Sequence, residues 1–253
     1  MSKLDGKIAW VTGAGSGIGE AAAIALAKAG CHVTLTGRRK APLEAVAATI
    51  AKAGGRVAIE AGDLTKSAIV DGIAQRIAAA SGRLDIVVSN AGVNLPDRSW
   101  ARLSTEGIDA LVAGNLTSAL YVSRAVLPIM RRQLDGLLIH TASFAGRFIG
   151  AVAGPIYTAA KHGVVAMSHT INVEECTNGI RSCVICPAEV ATPIMDLRSP
   201  PPSTEDRARM LQPDDLGRLV VYVAEQPPTV CLNEILISPT WNRGYIALRQ
   251  RPT

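Results

Sequence analysis

The chain has 253 residues, 48% of them hydrophobic and only 4% aromatic, and its 26 Lys and Arg outnumber 21 Asp and Glu for a net charge of +5. That length and apolar share predict one cytoplasmic domain over residues 1–253 with an aliphatic core, and with no 18-residue apolar run and no apolar segment behind the N-terminal charges, neither a membrane span nor a secretory leader is expected. The basic residues are scattered, with small clusters only at Arg38-Arg39-Lys40 and Arg131-Arg132 and no interleaved aromatics, which argues against a nucleic-acid surface.

The apolar run Ile8–Val11 predicts a buried strand, and the Ala-rich segment Ile18–Ala29 predicts a helix. Between them lies Thr12-Gly13-Ala14-Gly15-Ser16-Gly17-Ile18-Gly19. Strand, glycine turn and helix together suit a dinucleotide pyrophosphate: the glycines let backbone amides approach it, and the helix N-terminus adds partial positive charge. The turn therefore offers Gly13, Ser16, Gly17, Ile18 and Gly19 as cofactor contacts, although its spacing departs from G-x-G-x-x-G. A second strand, His32–Thr36, runs into Gly37-Arg38-Arg39-Lys40, with no acid before Glu44. At this place an acid binds the free 2′-hydroxyl of NAD and a base accommodates the 2′-phosphate of NADP. Arg38 and Arg39 thus favour NADP(H), with NAD(H) as the alternative; the competing explanation is that these bases merely open a solvated helix.

Helix Pro42–Lys52, strand Arg56–Glu60, helix Ile69–Ala80, strand Asp85–Ser89, helices Thr105–Ala113 and Leu116–Arg132, and strand Leu137–Thr141 follow. Helix Ile156–Glu175 then carries Tyr157 and Lys161 four residues apart, on one face. An ammonium beside a phenol favours the phenolate, so Lys161 is expected to lower the pKa of Tyr157 and make it a proton donor and acceptor near neutral pH. Strand Arg181–Ile185, helix Pro213–Ala224 and strand Glu234–Ile237 complete the series. Strands alternating with helices predict βαβ units, right-handed crossovers and a Rossmann-type, doubly wound α/β fold with a parallel sheet of about seven strands.

The stretch 187–212, with Pro200-Pro201-Pro202 in its middle, follows the C-terminal end of a strand and is predicted to be an irregular substrate lid. Cys31, Cys176, Cys183, Cys186 and Cys231 make an odd count that predicts free thiols. Cys183 and Cys186 fall on opposite faces of a strand, and with no second pair and no His cluster no metal site is expected. His140 and His162 read as structural. Arg147 reads as a surface residue, unless it faces the pocket and pairs with a substrate carboxylate.

Taken in order, these residues resemble the short-chain dehydrogenase/reductase family over nearly the whole chain. The carriers are Thr12–Gly19 as T-G-x-x-x-G-x-G, Asp63-Leu64, Ser89-Asn90-Ala91-Gly92 in place of N-N-A-G, Asn115 in Gly114–Thr117, Ser143 in Thr141–Gly146, and Tyr157 with Lys161. The resemblance implies an oxidoreductase that moves a hydride between NADP(H) and a secondary alcohol or carbonyl substrate, with Asn115, Ser143, Tyr157 and Lys161 as the catalytic set. It places Asp63 and Leu64 at the adenine and Asn90, Ala91 and Gly92 beneath the ribose. It places Pro187, Ala188, Val190 and Thr192 at the nicotinamide, with Ala188 where the family has glycine. Lys161 would also hold the nicotinamide ribose, Asn115 a water leading from Lys161 to solvent, and Ser143 the substrate oxygen. Family members are often tetramers, so a homo-oligomer, tetramer or dimer, is expected. Ser143 and Tyr157 are fourteen residues apart, one more than the family's commonest spacing, and the Gly146–Gly154 stretch can absorb the extra residue. Epimerisation or dehydration on the same scaffold, or a regulatory nucleotide-binding protein, stays open because fold does not fix function.

Overall fold

The five residues of β1 (Ile8–Thr12) are all buried, which a strand achieves only with a neighbour on each edge and a layer on each face. In the computed structural model, which describes residues 3–150 and 152–249, β1 is hydrogen-bonded to β2 (His32–Thr36) on one side and β4 (Ile86–Ser89) on the other. With β3 (Arg56–Ile59), β5 (Gly136–Thr141), β6 (Ile180–Pro187) and β7 (Glu234–Ile237) they form a seven-stranded parallel sheet in the order β3-β2-β1-β4-β5-β6-β7. The order reverses at β1, so the crevice beyond the C-terminal ends of β1 and β4 is where a sheet of this kind takes its ligand.

On one face of the sheet lie α1 (Gly17–Lys28), α2 (Lys40–Lys52) and α8 (Pro213–Ala224); Leu26, Leu43, Val46, Leu216 and Val220 share one core with Val11, Val33 and Ile185. α1 and α8 approach closely because Gly217 has no side chain: a Cβ there would lie 2.8 Å from the carbonyl oxygen of Ala21. On the other face α3 (Ser67–Ser81), α5 (Ser118–Gln133) and α6 (Pro155–Glu175) bury Val70, Ile73, Val126, Met130, Val164 and Ile171 around Trp10. The Trp10 indole N–H donates to the Thr36 hydroxyl at 2.8 Å, which gives the buried ring its required partner. Cys183 and Cys186 belong to the two different cores, as opposite strand faces require, and all five cysteines are free.

Strand ends agree with expectation to within two residues. The helices differ more, and most instructively at one place. The segments expected as Thr105–Ala113 and Leu116–Arg132 form one helical run, α4 (Thr105–Val112), a π turn over Ala113–Thr117, and α5. By length and composition this 105–133 run is apolar enough to cross a membrane, contrary to the expectation of no such stretch. Here Val122, Val126, Ile129 and Met130 are buried against the sheet and its neighbouring helices. Arg131 ties α5 to α6 by donating from Nε to the buried Glu175 at 2.9 Å.

The stretch 187–212 is more ordered than an irregular loop. It holds a 3₁₀ turn, Pro193–Leu197, and a short helix, α7 (Thr204–Arg209), opened by a capping box between Ser203 and Asp206, and it returns to bridge Val190 with Leu211. A last helix, α9 (Arg243–Arg249), follows β7. Ala151, within the Gly146–Gly154 stretch, lies outside the described residues, as do the ends of the 1–253 domain reading.

Candidate active site

The glycine turn is shaped by close approaches that only hydrogen can fill. Gly13 and Gly17 have φ of +63° and +59°, in the left-handed region. A Cβ on Gly19 would lie 2.3 Å from the Gly13 carbonyl oxygen and 2.6 Å from the Asn90 side-chain nitrogen. Ser16 is extended as the N-cap of α1 and its hydroxyl makes no capping bond, which leaves the hydroxyl and the first-turn amides as donors that could meet an anion. Thr192 closes the turn from the far side, its methyl 2.9 Å from where a Gly17 Cβ would be.

Thr12 holds this turn to the loop after β4. Its hydroxyl accepts from the backbone N–H of Asn90 at 2.9 Å and of Ala91 at 3.1 Å, and donates to the Val88 carbonyl at 3.3 Å. Asn90 returns a side-chain donor to the Thr12 carbonyl at 3.2 Å. The sequence reading assigned Thr12 no role; the signal for one was a buried hydroxyl at the end of a strand otherwise apolar. At the next strand ends, Arg38 and Arg39 are exposed and, among the described residues, form no ion pair, whereas Lys40 pairs with Glu44. The Asp63 carboxylate accepts from the Thr65 amide at 3.0 Å and hydroxyl at 2.8 Å, and these bonds, with Arg38 nearby, hold it below the usual carboxylate range. The Leu64 side chain is buried in the core with Trp10 and Val70.

The second half of the crevice is built on β5, α6 and the π turn. Asn115 in that turn accepts from the Val93 N–H at 3.1 Å and donates to the carbonyls of Val93 at 2.8 Å and Leu111 at 2.9 Å, so its side chain pins the loop after β4 to the helix. Gly92 sits where a Cβ would be 2.9 Å from Asn115 Oδ1 and 3.4 Å from Lys161 Nζ, which brings these three residues together. Lys161 is buried; its ammonium donates to the Thr141 carbonyl at 2.9 Å and lies over the Tyr157 ring, 5.5 Å from its centre. Ser143, extended just after β5, accepts from the Ala145 amide at 3.1 Å, the turn-capping role open to any such serine, and its hydroxyl neighbours the Tyr157 phenol, whose ionisation it favours. Pro187, Ala188, Val190 and Thr192 descend from β6 beside them, with the Ala188 amide held by the Ile237 carbonyl at 2.8 Å and Val190 buried.

The net electrostatics of Tyr157 differ from expectation. Burial is the largest influence and holds the phenol above its usual range, opposed by the neighbouring Ser143 hydroxyl and the charges of Arg198 and Arg98. The Lys161 ammonium sits over the ring face and donates to a backbone carbonyl, and its own burial brings Lys161 down to about 8. His140 is completely buried with neither ring nitrogen partnered; burial and the Lys161 charge press it down to about 4, so it stays neutral. His162 bonds its own helix at the Thr158 carbonyl, and Arg147 pairs with Glu234 of β7.

A family model described as short chain dehydrogenase matches residues 7–201. The chain belongs to this family. An uncharacterised oxidoreductase, SAR2567, of Staphylococcus aureus strain MRSA252 is 36% identical to the dehydrogenase over 239 residues, 94% of this chain and all of that one. Among solved structures, a metagenomic short-chain oxidoreductase in complex with NADP is 32% identical with a TM-score of 0.82, covering 95% of this chain and 100% of that chain. An alcohol dehydrogenase from Thermococcus sibiricus complexed with 5-hydroxy-NADP is 26% identical with a TM-score of 0.84, covering 98% and 100%. The dehydrogenase is therefore an enzyme of oxidation and reduction on a Rossmann-like sheet, in a family that binds NAD or NADP and acts on small molecules.

Proposed function

We propose that this dehydrogenase uses NADP(H) to interconvert a secondary alcohol and a carbonyl, with Tyr157 as general acid and base. The observation that carries the reading is the assembly of Ser143, Tyr157 and Lys161, from two separate elements, at the mouth of the crevice that the glycine turn opens. The turn residues fit a pyrophosphate because their backbone amides are exposed at a helix N-terminus and no Cβ obstructs them. Arg38 and Arg39, exposed at the end of β2 and without an ion pair among the described residues, suit a 2′-phosphate, and the NADP-bound relative supports the same choice.

Bound NADP(H) supplies or accepts the hydride. The chain's own part is the proton and its placement. Tyr157 holds its proton because burial disfavours the phenolate, so it is poised as the acid that protonates a carbonyl oxygen during reduction. Ser143 donates to the same oxygen as charge develops on it. Lys161 keeps a positive charge over the ring, and Asn115 fixes the loop that carries Gly92, which would help hold the nicotinamide ribose. The 187–212 stretch serves as the substrate lid of a single cytoplasmic domain, and the protein works as a homodimer or homotetramer.

The test is absorbance at the reduced-nicotinamide band, with NADPH and NADH each offered against ketones, and NADP and NAD against alcohols. NADPH oxidation by a ketone is expected, with kcat/KM over NADH lowered in Arg38→Asp and Arg39→Asp. Isomerised substrate with no net change in cofactor would replace this reading with an epimerase.

A further inference from the structure

Five charged side chains gather where the stretch after β6 meets α9 and the loop after β4. Glu189 accepts from Arg243 at 2.9 Å (Nε) and 2.7 Å (Nη2) and pairs with Arg198, and Arg243 reaches on to Asp206 at 3.4 Å. The fifth is Arg98. Its stem crosses the start of α6: a Cβ on Gly154 would meet the Arg98 carbonyl oxygen at 2.6 Å and its Cβ and Cγ at 3.0 and 3.1 Å. Asn94 ties the same loop to the Ala153 carbonyl at 3.2 Å. Tyr157 is one turn into α6 from this contact.

The Arg98 guanidinium is half-buried and, among the described residues, pairs with no acid. The charged or polar groups that act on it are Arg198, which pushes it down with burial, and Tyr157. A cation withdrawn from water and set against another cation is costly until an anion meets it. Arg98, Arg198 and Arg243 bring three positive charges, and Glu189 and Asp206 bring two negative, which leaves this cluster one positive charge in excess, apart from the Lys161 ammonium over the Tyr157 ring. An unneutralised charge on a planar fork matches a carboxylate in charge and in its paired oxygens. Trp100, two residues on from Arg98, and Phe148 and Ile149 in the loop before α6 are exposed and offer apolar surface.

We infer that the substrate is an oxo acid or hydroxy acid whose carboxylate is received by Arg98 with Arg198 while its carbonyl or alcohol oxygen reaches Tyr157. This rests on the alcohol and carbonyl chemistry proposed above and adds the class of substrate.

The experiment compares 2- and 3-oxo acids with their methyl esters as substrates of the NADPH-loaded enzyme. In the wild type the acids are expected to be preferred in kcat/KM, and Arg98→Gln is expected to cut the acid-to-ester ratio by about 30-fold, with Arg98→Lys intermediate. Arg76→Gln, which removes an exposed arginine paired with Glu60 across the molecule, is the control and keeps the ratio. Esters turned over as well as acids, or a ratio that Arg98→Gln leaves alone, overturns the inference. A higher KM for NADPH in Arg98→Gln with an unchanged ratio also overturns it, because the guanidinium then serves cofactor phosphate. If no oxo compound is reduced, the redox proposal fails separately, and calorimetric titration of acetoacetate into NADP-loaded protein still decides this one. Binding in the wild type that is lost in Arg98→Gln supports it, and equal or absent binding ends it. Where Arg98→Gln does not fold, Arg98→Lys carries the comparison.

Discussion

The two halves of the crevice are built on opposite terms. At the glycine turn every close approach is filled and the polar groups of Thr12 and Asn90 are answered by backbone. At the end proposed for proton transfer, burial works against the polar groups: Tyr157 resists ionisation, Lys161 is pressed toward neutrality, and among the described residues His140 has no partner for either nitrogen and Arg98 forms no ion pair. The first region is a frame that packing over-determines. The second carries free-energy cost that a ligand can relieve, which is where functional sites depart from what stability alone would select.

The largest expected effect separates chemistry from binding. Tyr157→Phe keeps the ring over Lys161 but removes the proton, so kcat is expected to fall by roughly three orders of magnitude with the NADPH Kd nearly unchanged. Turnover near the wild-type rate would remove Tyr157 from its role. The converse variant attacks the frame. Gly19→Ala sets a methyl 2.3 Å from the Gly13 carbonyl. Forced repacking of this kind is expected to weaken NADPH binding by about 10- to 100-fold, read by quenching of protein fluorescence in a variant whose circular dichroism shows it folded. Cofactor affinity equal to the wild type would mean that the turn is looser than its contacts imply.

The smallest effect measures the cost at the reactive end directly. With Lys161 brought down to about 8, the folded protein sheds that proton on passing through pH 8, while the unfolded chain keeps it until near its ordinary 10.5. The unfolded state therefore binds more protons in this window, and stability from this group rises with pH across it; below pH 8 the buried charge penalises the fold in full. Lys161→Met abolishes the titration. Its stability advantage over the wild type, read by urea unfolding, is expected to shrink by on the order of 1–2 kcal/mol between about pH 7.5 and about pH 9.5. A constant difference would show that the ammonium is as well solvated as a surface lysine.

Much of this was legible in the residues themselves. Strand limits followed from apolar runs bounded by turns, because strands buried on both faces cannot hide their composition. The glycine turn and the Tyr157–Lys161 pair were visible because each depends on local spacing: a φ near +60° at Gly13 and Gly17, and one helical turn between two side chains. The helices at 204–209 and 243–249 were missed because they are short and owe their order to contacts made far away along the chain, Arg243 with Glu189 among them.

The amino-acid order alone decided the parallel sheet and its family and named the side chains proposed to react, since propensity, periodicity and spacing act over a few residues at a time. Only the tertiary structure decided their electrostatics and surroundings. It sent the Lys161 ammonium to a carbonyl under the phenol ring, paired Arg147 with β7, and set Arg98, 59 positions before Tyr157, beside it. Burial and Coulomb forces depend on which distant segments meet, and no local pattern contains that.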